Sequence, residues 1–269
     1  MLVSFAQPAE VLAYRIVWSV PLLAILITAT RQWPGVRSLD RGQLLRLAIC
    51  SLLLSINWAT FIYAIHLHRI VETSLGYFIN PLVSIVLGWL FLKERMRPGQ
   101  WCAAGVAVVG VAHELVALGE LPWMGLCLAF SFGLYGLMRK QLALSASVGL
   151  GVESMMLAPL ALVYLLYVAN FSPAPSYSLE QLALLGLGGL VTILPLIWFA
   201  GAAIRMPLTQ LGFFQYLAPS ISLLLAVYVY DEAVATERWQ SFGLIWLALV
   251  IFSIEGLYYR RLSLSGDKA

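Results

Sequence analysis

An all-α, polytopic membrane fold is what this chain predicts, and three observations carry that prediction. Of its residues 61% are hydrophobic and only 11% charged, with a mean hydropathy of +0.89, far more apolar surface than a soluble domain buries in one core. Apolar windows of about 20 residues, the length that crosses a bilayer as a helix, can be laid along almost the whole chain. One stretch also occurs twice: HRIVETSLGYFINPLVSIVLGWLFLKERMRPGQW, from residue 68, is answered by IRMPLTQLGFFQYLAPSISLLLAVYVYDEAVATERW, from residue 204.

The windows are about nine, near residues 11–30, 44–67, 74–92, 101–118, 121–138, 149–168, 181–204, 208–230 and 239–258. The first carries Arg15 and Pro21 and stops before Pro34 and Gly35. The second holds Asn57, Trp58 and Tyr63. The third opens on Tyr77, Asn80 and Pro81 and ends at Lys93, Glu94 and Arg95, before Pro98 and Gly99. Trp101 opens the fourth. Pro122 introduces the fifth, LPWMGLCLAFSFGLYGLMRK, and the sixth contains Glu153 and Pro159. After Pro173 and Pro175 comes the seventh, with Trp198. Pro207 introduces the eighth, with Gln215, Tyr216 and Pro219, and Trp239 opens the ninth.

Charge placement orients the spans. Thirteen basic residues fall on one side: Arg31, Arg37, Arg41, Arg46, Lys93, Arg95, Arg97, Arg139, Lys140, Arg205, Arg260, Arg261 and Lys268. Arg69 and Arg238 fall on the other, so the first group and the C-terminus are expected to face the cytoplasm. The net charge of +3 is accounted for by this bias and gives no reason to expect nucleic acid.

The repeat organises the topology. Arg69, Thr73, Leu75 and Gly76 match Arg205, Thr209, Leu211 and Gly212 at an offset of 136. Pro81, Glu94, Trp101 and Gly105 match Pro219, Glu232, Trp239 and Gly243 at 138, which places a two-residue insertion inside the second copy. The offset of 138, applied again near the start of the chain, pairs Arg15 with Glu153 and Pro21 with Pro159. A full two-fold design would then hold ten helices, two inverted halves of five, of the kind found in secondary transporters. The expectation is a first half at 1–119 with four helices present and a second half at 120–269 with five, the first helix missing by a displaced start or by loss.

The runs AYRIVWS, NWATFIYAIHLHRIVETSLGYFINPLVSIVLGWLFLKER, AFSFGLYGLMRK and LGFFQYLAPSISLLLA resemble the RarD subfamily of the EamA-type permeases, in the drug/metabolite transporter superfamily. The similarity spans Glu10 to about Leu257, and HRIVETSLGYFINPL is its most distinctive part. The resemblance implies a ten-helix inner-membrane permease of the chloramphenicol-sensitive type, with inverted five-helix halves, and names no substrate. The second copy departs from it in reading Asp231, Glu232, Ala233 where the first has Lys93, Glu94, Arg95.

Charge inside a membrane helix needs a reason, and Arg15 and Glu153 both qualify. Glu153 would accept a coupling proton or a cationic substrate, and Arg15 would attract an anionic group or hold a gate. The other reading is that both snorkel to head groups. Asn57, Trp58, Tyr63, Tyr77, Asn80, Trp198, Gln215 and Tyr216 form a polar and aromatic set suited to an amphipathic solute, or else to interhelical bonds and interfacial belts. Pro81 and Pro219 are expected to break their helices and free carbonyls for a cavity. Glu94 is expected to pair with Lys93, Arg95 or Arg97, and Glu72 to cap or pair with Arg69.

No metal site is expected: His66 and His68 lie on different helix faces, His113 is isolated, and Cys50, Cys102 and Cys127 sit in separate runs. Neither cofactor nor nucleotide motif is present, and no catalytic set can be assembled, so the chain reads as no enzyme. The expected function is a secondary permease that moves a small organic metabolite or drug-like solute across the bacterial inner membrane. It would work by alternating access, rocking around a midplane cavity, with protons as the coupling ion for efflux. Its partners would be that solute, the lipid bilayer and protons, in a monomer or homodimer. The alternative is a non-transporting membrane protein that acts as an assembly or regulatory partner.

Overall fold

The computed structural model describes residues 5–171, 177–231 and 234–266. Pro173, Pro175, Glu232, Ala233 and Lys268, named above, lie outside them. Eleven helices follow in order among the described residues, with no strand: α1 (Pro8–Ala29), α2 (Trp33–Arg37), α3 (Arg41–His66), α4 (Ile70–Leu92), α5 (Pro98–Leu118), α6 (Trp123–Leu142), α7 (Ala146–Phe171), α8 (Leu179–Arg205), α9 (Leu208–Gln215), α10 (Leu217–Tyr230) and α11 (Thr236–Gly266). Eight candidate spans are long and apolar enough to cross a membrane, α9 and α10 together counting as one, Leu208–Val229. The ninth expected window is α6, which forms a helix of 20 residues but whose apolar content is diluted by Arg139 and Lys140 at its end.

Caps mark several starts. Asp40 accepts from the Gln43 N–H at 2.8 Å and Gln43 returns a bond to the Asp40 N–H, a capping box that opens α3. Ser178 and Gln181 do the same for α8. Pro81, Pro159 and Pro195 lie inside unbroken helices. For Pro81 this corrects the expected break: α4 runs through it.

Pro219 behaves differently. Here α9 stops at Gln215 and α10 begins at Leu217, with Pro219 in its first turn, where a missing N–H is harmless. The interruption is a single residue, Tyr216, whose backbone stays helical (φ −65°, ψ −16°) and whose carbonyl still accepts from the Ser220 N–H at 3.3 Å, so α9 and α10 continue as one span. The Tyr216 carbonyl at the junction is taken by the Ser220 hydroxyl at 2.8 Å, and Ser220 in turn accepts from Trp246 Nε1 at 3.1 Å.

The described chain divides into two compact units, each drawn from both ends of the sequence. Unit 1 comprises residues 1–69 and 134–206, so it contains α1, α2, α3, the end of α6, α7 and α8. In it α1 packs along α7 and α8, and α3 along α7, around Leu23, Ile27, Leu54, Val152, Leu185 and Ala200. Unit 2 comprises residues 70–133 and 207–269, with α4, α5, the start of α6, α9, α10 and α11. There α5 packs on α11 and α4 on α9, and Phe213 stacks on Phe252 at 4.3 Å over Ile85, Ala103 and Ala104. Gly212 permits the approach of α9 to α4: a Cβ there would lie 2.7 Å from the Pro81 carbonyl oxygen. Outward-facing Leu160, Val163, Leu166 and Tyr167 of α7 are exposed, as a face bathed in lipid requires.

Candidate functional site

Glu153 is the eighth residue of α7 and is 1% exposed. An ionised carboxylate so placed must be paired. Its partner is Arg139, 0% exposed, whose Nη1 lies 3.5 Å from Oε1. The Tyr135 hydroxyl donates to Oε2 at 3.3 Å, and the Ser51 hydroxyl of α3 donates to the Glu153 backbone carbonyl at 3.3 Å. Tyr135 and Arg139 are four apart on α6 and so share one helix face. Phe199 of α8 stacks on Tyr135 at 6.3 Å.

This pair corrects two expectations. Glu153 does not snorkel, and Arg139 is no solvent-facing topology marker although it sits in the last turn of α6. Sequence reasoning counted Arg139 with the loop charges because Lys140 follows it. The signal that could have singled it out was the Tyr135–Arg139 spacing within an otherwise apolar run.

Arg15 is the eighth residue of α1, as Glu153 is of α7. It is partly buried: Nε donates to the Thr192 hydroxyl of α8 at 2.8 Å, and the guanidinium lies 5.7 Å from the centre of the Trp58 ring, within cation–π range. Thr192 was missed because a lone threonine in an apolar helix carries no sequence signal. Asn57 is partly buried on α3, whereas Tyr63 is half exposed and Trp198 is 71% exposed. The structure therefore brings Arg15 and Trp58 together, gives Glu153 separate partners, and leaves Tyr63 and Trp198 facing outward.

In unit 2 the Asn80 side-chain amide donates to Gln215 Oε1, and Gln215 Nε2 donates to the Ser84 hydroxyl at 3.2 Å. This amide ladder joins α4 to α9 and includes two residues picked from the sequence, with Ser84 as the one missed. Asn80 Oδ1 and the Tyr216 hydroxyl are buried and have no hydrogen-bond partner among the described residues. Tyr77 is half exposed, while Pro81 and Pro219 are buried.

The repeated glutamate caps a helix of the second copy. Both Glu94 carboxylate oxygens accept backbone N–H groups at the start of α9, from Leu208 and from Thr209, each at 2.8 Å. Pro207, the N-cap residue, offers no side-chain acceptor, and Glu94 replaces it. Arg97 pairs with Glu255 at 3.4 Å and lies over the Tyr259 ring. Glu72 accepts from the Met124 N–H at 3.3 Å, at the start of α6.

Residues 1–113 match the EamA-like transporter family. The "Protein RarD" of Salmonella typhimurium is 42% identical over 265 residues, 97% of this chain and 90% of the relative. An "Uncharacterized transporter" of Vibrio cholerae is 44% identical over 253 residues, covering 92% and 83%. The "Chloramphenicol-sensitive protein RarD" of Pseudomonas aeruginosa is 30% identical over 248 residues, covering 90% and 83%. A protein of solved crystal structure, 19% identical, shares the fold with a TM-score of 0.69 over 93% of this chain and 89% of its own. With near-full-length identity at this level and eight candidate spans in the fold, the chain belongs to the RarD-type, EamA-like family of membrane transporters.

Proposed function

We propose that this transporter moves a small organic solute across the bacterial inner membrane by alternating access, and that Glu153 carries the coupling proton for efflux. The observation that carries this reading is the buried Glu153–Arg139 pair. A carboxylate and a guanidinium inside a membrane helix bundle are expensive to desolvate. Packed apolar side chains would hold α6 to α7 at least as well, so stability alone does not account for the pair. A group that gains and loses a proton within the bundle does.

In the same reading, Arg15 with Trp58 and the Asn80–Gln215 ladder contact the solute along its path, each within its own unit. The halves 1–119 and 120–269 insert in opposite orientations, and the C-terminus faces the cytoplasm. The name of the Pseudomonas aeruginosa relative makes chloramphenicol one probe to test, beside amino acids.

The test is a solute screen in proteoliposomes with an imposed proton gradient. Wild-type protein is expected to drive counterflow of at least one probe, with a rate that depends on the gradient, and Glu153→Gln to lose that dependence. Transport that proceeds equally with the gradient collapsed, or a Glu153→Gln variant with unchanged rate and pH dependence, counts against the proton role.

A further inference from the structure

Glu153 has both carboxylate oxygens occupied, one by Arg139 and the other by Tyr135. With the cluster closed to solvent, there is no room beside the carboxylate for an organic cation. A proton needs no such room, and on binding it must displace the guanidinium's charge.

The guanidinium is held from three directions. Nη1 meets Glu153, while Nη2 donates to the carbonyls of Leu144 and Ser145 at 3.5 and 3.3 Å, in the turn between α6 and α7. The Ala143 φ of 51° starts this turn in the left-handed region. The third side is Gly149. A Cβ on that residue would lie 1.5 Å from Arg139 Nη1 and 2.4 Å from Cζ, so even alanine would occupy the guanidinium's place. Nε is buried and has no partner among the described residues, so the seat is shaped for contact with Glu153 rather than for full satisfaction of the arginine.

We infer that Arg139, seated by Gly149, is a built-in competitor for the Glu153 proton, and that protonation of Glu153 releases the guanidinium and loosens the α6–α7 turn it clamps. This rests on the proton-carrier reading and adds how the proton acts. On protonation a Glu153 oxygen gains a hydrogen, the guanidinium keeps its own, and the pair passes from neutral to a single positive charge. The arginine then loses its strongest contact and its hold on Leu144 and Ser145 weakens. The titratable groups that face Glu153 are Arg139 and Tyr135 from α6 and Cys50 from α3. Around it α1 presents Leu23 and Ile27 to Gly151, and α8 brings the Phe199 ring. Gly149 is thus a positioning residue that acts through Arg139.

The experiment labels a Leu144→Cys reporter with a maleimide in the full chain, purified in detergent. Cys102 and Cys127 are replaced by alanine, and the same background without the reporter serves as blank for the buried Cys50. Rates are normalised to the denatured chain at each pH. Labelling in the otherwise wild-type protein should rise about tenfold from mildly alkaline to mildly acidic pH, the change in open population expected on losing one charge-assisted hydrogen bond. Glu153→Gln, Arg139→Gln and Gly149→Ala should each label at the high rate at both pH values, and Arg139→Lys should keep part of the pH response. Circular dichroism and size-exclusion elution identify variants that fold, and Arg139→Gln substitutes for Gly149→Ala if the latter does not. A pH-independent reporter in the wild-type chain overturns the inference. So does a wild-type response in Arg139→Gln or Gly149→Ala. If Glu153→Gln alone flattens the response, the proton-carrier reading stands and only the coupling through Arg139 falls. If Glu153→Gln keeps the full response, both fall.

Discussion

Replacing the two members of the buried pair singly and together separates its structural from its functional role. Arg139 and Glu153 are 0% and 1% exposed and 3.5 Å apart, so removal of either leaves a group that water cannot reach. Breaking such a pair costs about 3–5 kcal/mol. The two single variants should not be equal. Arg139→Met leaves a carboxyl that can take up a proton and become neutral, whereas Glu153→Leu leaves a guanidinium that stays charged. It keeps only the Leu144 and Ser145 carbonyls. Glu153→Leu is therefore expected near the upper end of that range and Arg139→Met near the lower. The double variant removes both charges and restores apolar packing, so its stability should return to within about 1 kcal/mol of wild type or exceed it. Unfolding in mixed micelles with increasing denaturing detergent, followed by circular dichroism, measures all four proteins. The proteoliposome assay then reads function, and the double variant should be stable and uncoupled. Single-variant losses that simply add in the double would refute the reasoning, since the two groups would then not interact.

Three further outcomes are expected. Glu94→Ala should lower stability by about 1–2 kcal/mol, since two N–H groups at the start of α9 lose their acceptor, while Glu94→Gln should retain part of it; the same detergent titration checks both. Gly212→Ala should destabilise by about 1–3 kcal/mol, because the added methyl meets the Pro81 carbonyl and Ile85 at 2.7 Å, and hydrogen exchange should rise in α4 and α9. Tyr177, in the α7–α8 connection, has its phenol held above the ordinary range by burial and by its O–H donated to Glu10 at 2.9 Å. A raised folded value means that the contribution is complete below about pH 10, the ordinary phenol value, and fades as pH climbs through the higher folded one. The Tm difference between wild type and Tyr177→Phe should be constant at neutral pH and shrink only in strong alkali.

Several residues of the candidate site stood out without coordinates. Glu153 and Arg15 stand out because a charge in an apolar run needs explanation, and the repeat places them at equivalent positions. Asn80 and Gln215 were found for a similar reason and prove to be bonded to each other. Arg139, Thr192 and Ser84 were not found. Arg139 was hidden by its neighbour Lys140, and the two hydroxyl residues by their ordinariness: whether a threonine in a helix bonds its own turn or an arginine on another helix depends on how the helices are rotated.

Composition and the succession of apolar windows determined by themselves that this chain is a bundle of membrane-length helices, because a chain of such apolar content must satisfy its backbone within helices. Tertiary packing alone decided which polar groups meet. It carried α4 unbroken through Pro81, whereas the matching span is interrupted at the single residue Tyr216. It also set Arg139 against Glu153 through the space left by Gly149. That contact joins the ends of two helices, and a pattern read along one helix holds no information about the rotation and depth at which the next one lies.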